Sequence, residues 1–210
     1  MPASPEPDHT PEAPTRRSAL LLGLGGGLIA VGLMGAGALF WLTQGKDAAL
    51  GIGGAFALVD GSGAPVTDKT YRGKYMLVFF GFTFCPDVCP TTLNQVADAL
   101  DRLGPKADRV APLFITVDPK RDTPAAMQAF TAAFSPRVIG LTGSVEQVAQ
   151  VARAYRVYFA ERRTGQGATD YTMDHSAILY LMGPDGRFLA PIRAEASGEQ
   201  MAAELTRLLQ

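Results

Sequence analysis

Three uninterrupted apolar runs predict the central strands of the folded part of the chain. The runs are residues 75–82, 110–117 and 177–182. Runs of this length are typical of strands whose two faces are both buried. Residues 56–60 predict a further short strand, and the turn signal Gly183-Pro184-Asp185-Gly186 predicts a hairpin that returns through residues 187–192.

The segments between these runs show the spacing of amphipathic helices. Helices are predicted for residues 90–103, 124–134, 144–155 and 199–209. Thr123 before Pro124 is a typical capped start, and Ser144 is a second predicted N-cap. This order of elements predicts an α/β domain with a thioredoxin-like fold over residues 56–210, in which helices flank a central mixed sheet.

Residues 18–43 predict a transmembrane helix. The segment carries no charged side chain and is long enough to cross a bilayer. Arg16 and Arg17 directly precede it, whereas only Lys46 follows it closely, so the positive-inside rule places the N-terminus in the cytoplasm. The expected location is the inner (cytoplasmic) membrane, crossed once, with the folded domain in the periplasm.

The segments on either side of this helix differ in composition. Residues 1–17 are rich in Pro, Glu, Thr and Ala and predict a disordered cytoplasmic tail. Residues 44–55 are rich in Gly and Ala and predict a flexible linker. A cleaved signal peptide is the alternative, since Ala36-Gly37-Ala38 resembles a cleavage site. The apolar run continues through Leu42, which favours an uncleaved anchor.

The composition leaves very few side chains that could carry out thiol chemistry or bind a soft metal ion. The chain has 210 residues, a net charge of -1, two cysteines and two histidines. The nearly neutral charge argues against a nucleic-acid partner. His9 lies in the predicted tail, so thiol or metal chemistry in the folded domain depends on Cys85, Cys89 and His175.

Cys85 and Cys89 lie where a predicted strand is followed by a predicted helix. A helix N-terminus favours anions, so one or both thiols are expected to have a lowered pKa. Cys-x-x-Cys is the usual spacing of dithiol oxidoreductases, and one more residue lets both sulfurs face a single metal ion. Two thiolates select soft ions such as Cu(I), and an added imidazole could also hold Cu(II). A zinc site with a further ligand and a structural disulfide are the alternatives.

His175 precedes the third predicted strand. In a thioredoxin-like sheet that strand packs beside the strand that leads to the cysteines, so the imidazole is expected near the thiols. Asp174 is interpreted either as an acceptor that orients the site or as a solvated carboxylate. Asp118 and Arg121 follow the second predicted strand at the same edge of the sheet, where they either dock a partner or form a solvated loop.

Four segments of the folded part carry specific motifs. They are GFTFCPDVCPTTL (81–93), ITVDPKRDTP (115–124), LTGS (141–144) with YRVYF (155–159), and MDHSAILYLMGPDGRF (173–188). With them, the chain resembles the Sco/SenC family of copper proteins needed for cytochrome c oxidase assembly, over nearly all of residues 55–210. The resemblance implies that Cys85, Cys89 and His175 bind one Cu(I) or Cu(II) ion per chain. Position 84 is Phe, where family members often carry another residue.

Two other classes of thiol protein fit the residues less well. A peroxiredoxin needs Pro-x-x-x-Thr-x-x-Cys, and the proline and threonine positions hold other residues when counted back from either cysteine. A thioredoxin carries a cis-proline just before its third strand, where this chain has His175-Ser176-Ala177.

The resemblance implies a copper metallochaperone, without substrate turnover, that delivers copper to the copper-site subunit of cytochrome c oxidase. The other expected partners are an upstream periplasmic copper donor, a thiol reductant of the thioredoxin type and the membrane. One alternative is a thiol-disulfide reductase that keeps the copper-site cysteines of the oxidase reduced. A copper or redox sensor is a third hypothesis, against which the short N-terminal tail counts.

Overall fold

The computed structural model of the chain describes residues 51–209, which form two sheets and flanking helices. The strands are β1 (Ala57–Asp60), β2 (Pro65–Thr67), β3 (Tyr75–Gly81), β4 (Val110–Thr116), β5 (Ile139–Thr142), β6 (Phe159–Arg163), β7 (Tyr171–His175), β8 (Ile178–Met182) and β9 (Phe188–Arg193). The α-helices are α1 (Val88–Leu103), α2 (Pro124–Ala132), α3 (Val145–Ala154) and α4 (Gly198–Leu208). Short 3-10 helices span Asp68–Tyr71 and Gly104–Arg109.

The larger sheet is mixed and has seven strands in the order β2-β1-β5-β4-β3-β8-β9. β3, β4 and β5 are parallel, and β8 pairs with β3 in the antiparallel sense. The predicted central mixed sheet and the place of the third apolar run beside the cysteine strand are therefore confirmed. β3 and β4 pair from Tyr75 opposite Val110 to Gly81 opposite Thr116, so both strands end at the same edge.

The core lies on both faces of the central strands. All residues of β3 and β4 are buried, as their continuous apolar runs predict. Because successive side chains of a strand point to opposite faces, Leu77 and Phe79 join one cluster with α1 and α4. Val78 and Phe80 join a second cluster with α3. Burying each such side chain contributes roughly 1.5–3 kcal/mol, so the two layers fix the position of β3.

Two helices begin at the predicted caps. Thr123 Oγ1 accepts a hydrogen bond from the Ala126 backbone N–H at 3.2 Å, and Pro124 follows as the first helical residue. Ser144 Oγ accepts from the Gln147 backbone N–H at 3.2 Å, while the Gln147 side chain accepts from the Ser144 N–H at 2.8 Å. The second arrangement is a capping box, which pairs both backbone donors.

Some strands are not visible in the apolar pattern. β6 and β7 form a separate two-stranded sheet in which Phe159 lies opposite His175. β6 is largely exposed and polar, so no buried face marks it in the sequence. β2 and β5, with three and four residues, are too short to show a period. His175 therefore ends a strand that the apolar pattern does not predict.

Residues 1–50 and 210 lie outside the described residues. The predicted tail (1–17), the predicted transmembrane helix (18–43) and the first part of the predicted linker (44–55) stay predictions. In the rest of that linker, Ile52 packs on the second core cluster and the Gly53 N–H donates to the Ala154 carbonyl at 2.8 Å. Between residues 51 and 209, none of the helices has the length and apolar character needed to cross a bilayer.

Candidate metal centre

The two cysteines lie at the edge where β3 ends. Cys85 is in the loop after Gly81 and is partly exposed, while Cys89 is fully buried in the first turn of α1. Both thiols are free. A Cβ atom at position 81 would lie 2.6 Å from the Cys89 Sγ and 2.6 Å from a ring carbon of Phe114. Only glycine lets the Cys89 thiol pack this closely against the end of β3.

A buried carboxylate holds the loop that carries Cys85. The Asp122 side chain accepts hydrogen bonds from the Thr83 backbone N–H at 3.1 Å and from the Thr83 hydroxyl at 2.6 Å. It also accepts from the Thr116 hydroxyl at 2.6 Å. Burial raises the pKa of Asp122, although these three hydrogen bonds act in the opposite direction. The cysteine loop is thus attached to the end of β4 two residues before Cys85.

The imidazole of His175 reaches the thiols from β7. Its Nε2 lies 3.5 Å from the Cys89 Sγ, and its Nδ1 lies 3.1 Å from the Ser176 carbonyl oxygen. A carbonyl oxygen can only accept, so Nδ1 carries the proton and Nε2 presents its lone pair to the thiols. The ring packs edge-on against Phe79 and Phe82, with ring centres 6.2 Å and 5.9 Å away.

The three predicted ligands come together in one cluster. The Sγ atoms of Cys85 and Cys89 and a ring nitrogen of His175 all lie within 4.8 Å of one another. Across residues 51–209, this is the one group of three or more His, Cys, Asp or Glu side chains close enough to share a metal ion. Two sulfurs and one nitrogen form a soft donor set, which suits Cu(I) and, through the nitrogen, also Cu(II).

The two thiols differ in acidity. A hydrogen bond from the Cys89 thiol lowers the pKa of Cys85 to about 4, and hydrogen bonds from backbone N–H groups act in the same direction, against the effect of burial. The same hydrogen bond and burial raise the pKa of Cys89. The expectation that at least one thiol has a lowered pKa is therefore confirmed for Cys85. At neutral pH the pair holds one proton, which a metal ion bound by both sulfurs would displace.

The residues beside the predicted ligands lie differently from what the sequence suggested. Asp174 points to the opposite face of β7 from His175, as adjacent residues of a strand do. Its side chain is half exposed and accepts a hydrogen bond from Arg162 Nε at 3.3 Å. The interpretation of Asp174 as the group that orients the imidazole is wrong, since the Ser176 carbonyl occupies that place. Asp118 is buried and Arg121 is largely shielded from solvent, and their ion pair contacts Tyr171 of the β6–β7 hairpin, so they form neither a docking surface nor a solvated loop.

A mixed sheet flanked by helices, with two thiols at the start of α1 and an imidazole beside them, defines a thioredoxin-like domain with a dithiol and imidazole centre. Residues 44–210 match the family model described as SCO1/SenC, and the chain belongs to that family. The match includes all of the residues of the centre.

Relatives support the same assignment. The chain is 48% identical over 141 residues to the human protein named Protein SCO1 homolog, mitochondrial, a match that covers 66% of this chain and 46% of the human protein. A structure of Bradyrhizobium japonicum ScoI with copper bound is 48% identical, with a TM-score of 0.69, and the match covers 74% of this chain and 98% of that one. For Arabidopsis thaliana ScoI with copper bound, the identity is 39%, the TM-score 0.69 and the coverage 74% and 96%. The chain spans about half the length of the curated relatives it matches.

Proposed function

We propose that the chain is a copper carrier that binds one copper ion through Cys85, Cys89 and His175 and passes it to the copper-site subunit of cytochrome c oxidase. The observation that supports this most directly is the cluster of three soft donor atoms within 4.8 Å, one of them a thiolate at neutral pH. The copper-bound ScoI structures of similar sequence support copper as the cargo. The recipient follows from the family resemblance of the sequence motifs.

The exposure of the ligands suits transfer rather than permanent storage. Cys85 and His175 are partly exposed, whereas Cys89 is fully buried. A partner's thiols or imidazoles can therefore replace the two accessible ligands first, while the Cys89 sulfur stays bound to copper. Exchange of one ligand at a time moves the ion without releasing it to water, and the chain itself turns over no substrate.

A thiol-disulfide reductase remains the second candidate, because the two thiols also suit that reaction. The Cys85 thiolate could attack a disulfide in the oxidase subunit and form a mixed disulfide, releasing one partner thiolate. Cys89 would then displace the second partner thiolate, leaving the partner reduced and the chain with a Cys85–Cys89 disulfide. A thiol reductant of the thioredoxin type would have to restore the dithiol in each cycle.

His175→Ala separates the two functions, because disulfide exchange needs two sulfurs and copper retention needs the third ligand. In the reduced full chain, we expect His175→Ala to keep Cu(I) binding and to lose stable Cu(II) binding with its thiolate-to-copper absorption. A strain that carries it should fail to assemble the oxidase when copper is limiting. His9→Ala is the matched control and should behave as wild type. Full assembly with His175→Ala, together with a defect in Cys85→Ser, would contradict copper delivery and favour the reductase.

The proposed location is the periplasmic side of the inner membrane, with residues 18–43 as anchor. An upstream copper donor would then meet the domain outside the cytoplasm. A reporter that works only outside the cytoplasm should be active when fused after Gln210. Activity of a cytoplasm-only reporter at the same position would overturn this orientation.

A further inference from the structure

The side chain of Arg121 lies between the two segments that carry the candidate ligands. Its guanidinium carbon is 3.7 Å from the centre of the Tyr171 ring and 4.5 Å from the centre of the Phe84 ring. Phe84 directly precedes Cys85, and Tyr171 begins the strand β7 that ends at His175. One cation therefore contacts both the cysteine loop and the β6–β7 hairpin.

Polar contacts strengthen the attachment of Tyr171. Arg121 Nη1 donates to the Tyr171 carbonyl oxygen at 3.0 Å, and Nε donates to the Asp118 carboxylate. The same carboxylate accepts a hydrogen bond from the Tyr171 hydroxyl at 2.9 Å. The loop after β4 thus holds Tyr171 by its ring, its carbonyl group and its hydroxyl group.

The third nitrogen of the Arg121 guanidinium group, Nη2, shows that hydrogen bonds alone do not account for this side chain. Arg121 Nη2 is buried and has no hydrogen-bond acceptor among the residues that the structure describes. A buried donor without an acceptor destabilises the folded state. The contacts of the planar cation with the two rings offset part of that destabilisation, so the stacking is central to the role of Arg121.

The hairpin depends on such side-chain contacts because β6 and β7 form a sheet of their own. Their ladder of backbone hydrogen bonds does not extend into the seven-stranded sheet. The ion pair between Lys120 and Glu161 also joins the loop after β4 to β6, at 3.1 Å, but the two side chains are 62% and 37% exposed. Exposed ion pairs of this kind contribute little to stability.

We propose that Arg121 is a positioning residue that holds the β6–β7 hairpin against the cysteine loop and thereby sets how firmly the centre retains Cu(II). This inference rests on the proposed copper-binding function. The cysteine loop has its own attachment through Thr83 and Asp122, so loss of Arg121 loosens the hairpin that carries the imidazole and leaves both sulfurs in place. Cu(II), which needs the nitrogen ligand, is then lost faster, whereas two sulfurs still retain Cu(I).

Arg121→Lys in the full chain tests this role. Lysine keeps a positive charge near Asp118 but lacks the planar group that stacks between two rings. With a competing chelator present, we expect the Cu(II) dissociation rate to rise at least about tenfold and the Cu(I) affinity to change by less than about threefold. Lys120→Ala is the matched control, because Lys120 joins the same loop to the same hairpin through an exposed pair, and it should leave both values unchanged.

A second measurement needs no copper. In the metal-free full chain, Arg121→Lys should accelerate amide hydrogen exchange in β7 at least about tenfold and leave exchange in α1 unchanged. Equal losses of Cu(I) and Cu(II), or equal exchange rates in β7 of the two chains, would overturn the role. If the wild-type chain retains no copper, the proposed function fails, and the exchange measurement still decides whether Arg121 holds the hairpin.

Tyr171→Phe decides the question if Arg121→Lys does not fold. It removes the hydroxyl bond to Asp118 and keeps the ring under Arg121. We expect Cu(II) dissociation and β7 exchange to become about threefold faster. Rates equal to those of the wild-type chain in both measurements would contradict the proposed attachment.

Discussion

The sulfur ligands and the imidazole ligand of the candidate centre are attached to the protein in different ways. Cys89 is part of the main core, packed against Gly81 and Phe114, and the loop that carries Cys85 is fixed by a buried carboxylate. His175 ends a hairpin that pairs only with itself and contacts the rest of the domain through side chains. The sulfur ligands therefore belong to the core of the domain, whereas the hairpin that carries His175 is attached to the domain by side-chain contacts.

This difference has a consequence for metal retention. Changes near the sulfurs disturb the core and should affect every metal state, whereas changes near the hairpin should affect only the state that needs nitrogen. The following experiments test that division, beginning with the largest expected effect.

Asp122→Ala should have the largest effect, because it removes the carboxylate that accepts from Thr83 and Thr116. Buried donors would lose their acceptor, so we expect the free energy of unfolding to fall by about 3 kcal/mol. Cu(I) and Cu(II) binding should weaken together, in contrast to Arg121→Lys. Chemical denaturation and metal competition measure the two effects. Asp108→Ala, at an exposed carboxylate, is the control, and a selective loss of Cu(II) in Asp122→Ala would contradict the division.

Gly81→Ala should be the next most harmful change. The new methyl group would lie 2.6 Å from the Cys89 Sγ, so either the thiol or β3 must move. We expect a loss of about 2 kcal/mol in unfolding free energy and weaker Cu(I) binding. Gly54→Ala is the matched control, because its methyl group would meet the Ala154 Cβ at an ordinary 3.5 Å. Unchanged Cu(I) affinity in Gly81→Ala would show that Cys89 does not need this close packing.

A smaller effect is expected from pH in the reduced, metal-free chain. The pKa of Cys85 is lowered to about 4, so folded chains hold its thiolate at pH values where unfolded chains hold a thiol. Unfolded chains then bind more protons, and stability rises with pH from about 4 towards the ordinary thiol pKa of about 8.5. Above that value the effect of Cys85 is complete. The raised pKa of Cys89 then acts in reverse, because the folded thiol keeps a proton that unfolded chains lose.

Thermal unfolding across this pH range checks the prediction, with Cys85→Ser as the control that should remove the rise. Cys89→Ala should raise the pKa of Cys85, because it removes the principal hydrogen-bond donor. Alkylation of Cys85 followed against pH measures that pKa directly. An alkylation profile centred near the ordinary thiol value in the wild-type chain would refute the paired arrangement of the two thiols.

Asp174→Asn should have the smallest effect, although it is next to the imidazole in sequence. Its partner Arg162 is exposed, and such pairs contribute less than about 1 kcal/mol. We expect unchanged Cu(II) dissociation, measured as for Arg121→Lys. Faster Cu(II) loss here would restore Asp174 as the residue that orients His175.

The sequence predicts the region around the two sulfurs better than the β6–β7 hairpin, for physical reasons. β3 and β4 are buried on both faces, so their apolar runs are unambiguous, and a thiol pair at the start of a helix is a local pattern. The proximity of His175 followed from the expected pairing of the third apolar run with β3, which the structure confirms.

The remaining features depend on contacts that no local pattern reveals. β6 is polar and largely exposed, and β7 has only five residues, of which two are apolar, so no continuous apolar run marks either strand. Asp122 and Arg121 lie in a charged segment that resembles a solvated loop, and only the tertiary structure buries Asp122 and shields most of Arg121 from solvent. The two interpretations of Asp174 could not be separated from the sequence, because adjacent residues in a strand face opposite sides and β7 could not be recognised as a strand.

The separate pairing of β6 and β7 also makes one ligand exchangeable as a module. A different hairpin could end in a thioether or a carboxylate in place of the imidazole without altering the seven-stranded sheet. Metal preference could then change during evolution, or by grafting, through the single segment 159–175, whose backbone pairing is self-contained. Such a chain would keep its fold and its two sulfurs while acquiring a third donor of another chemical hardness.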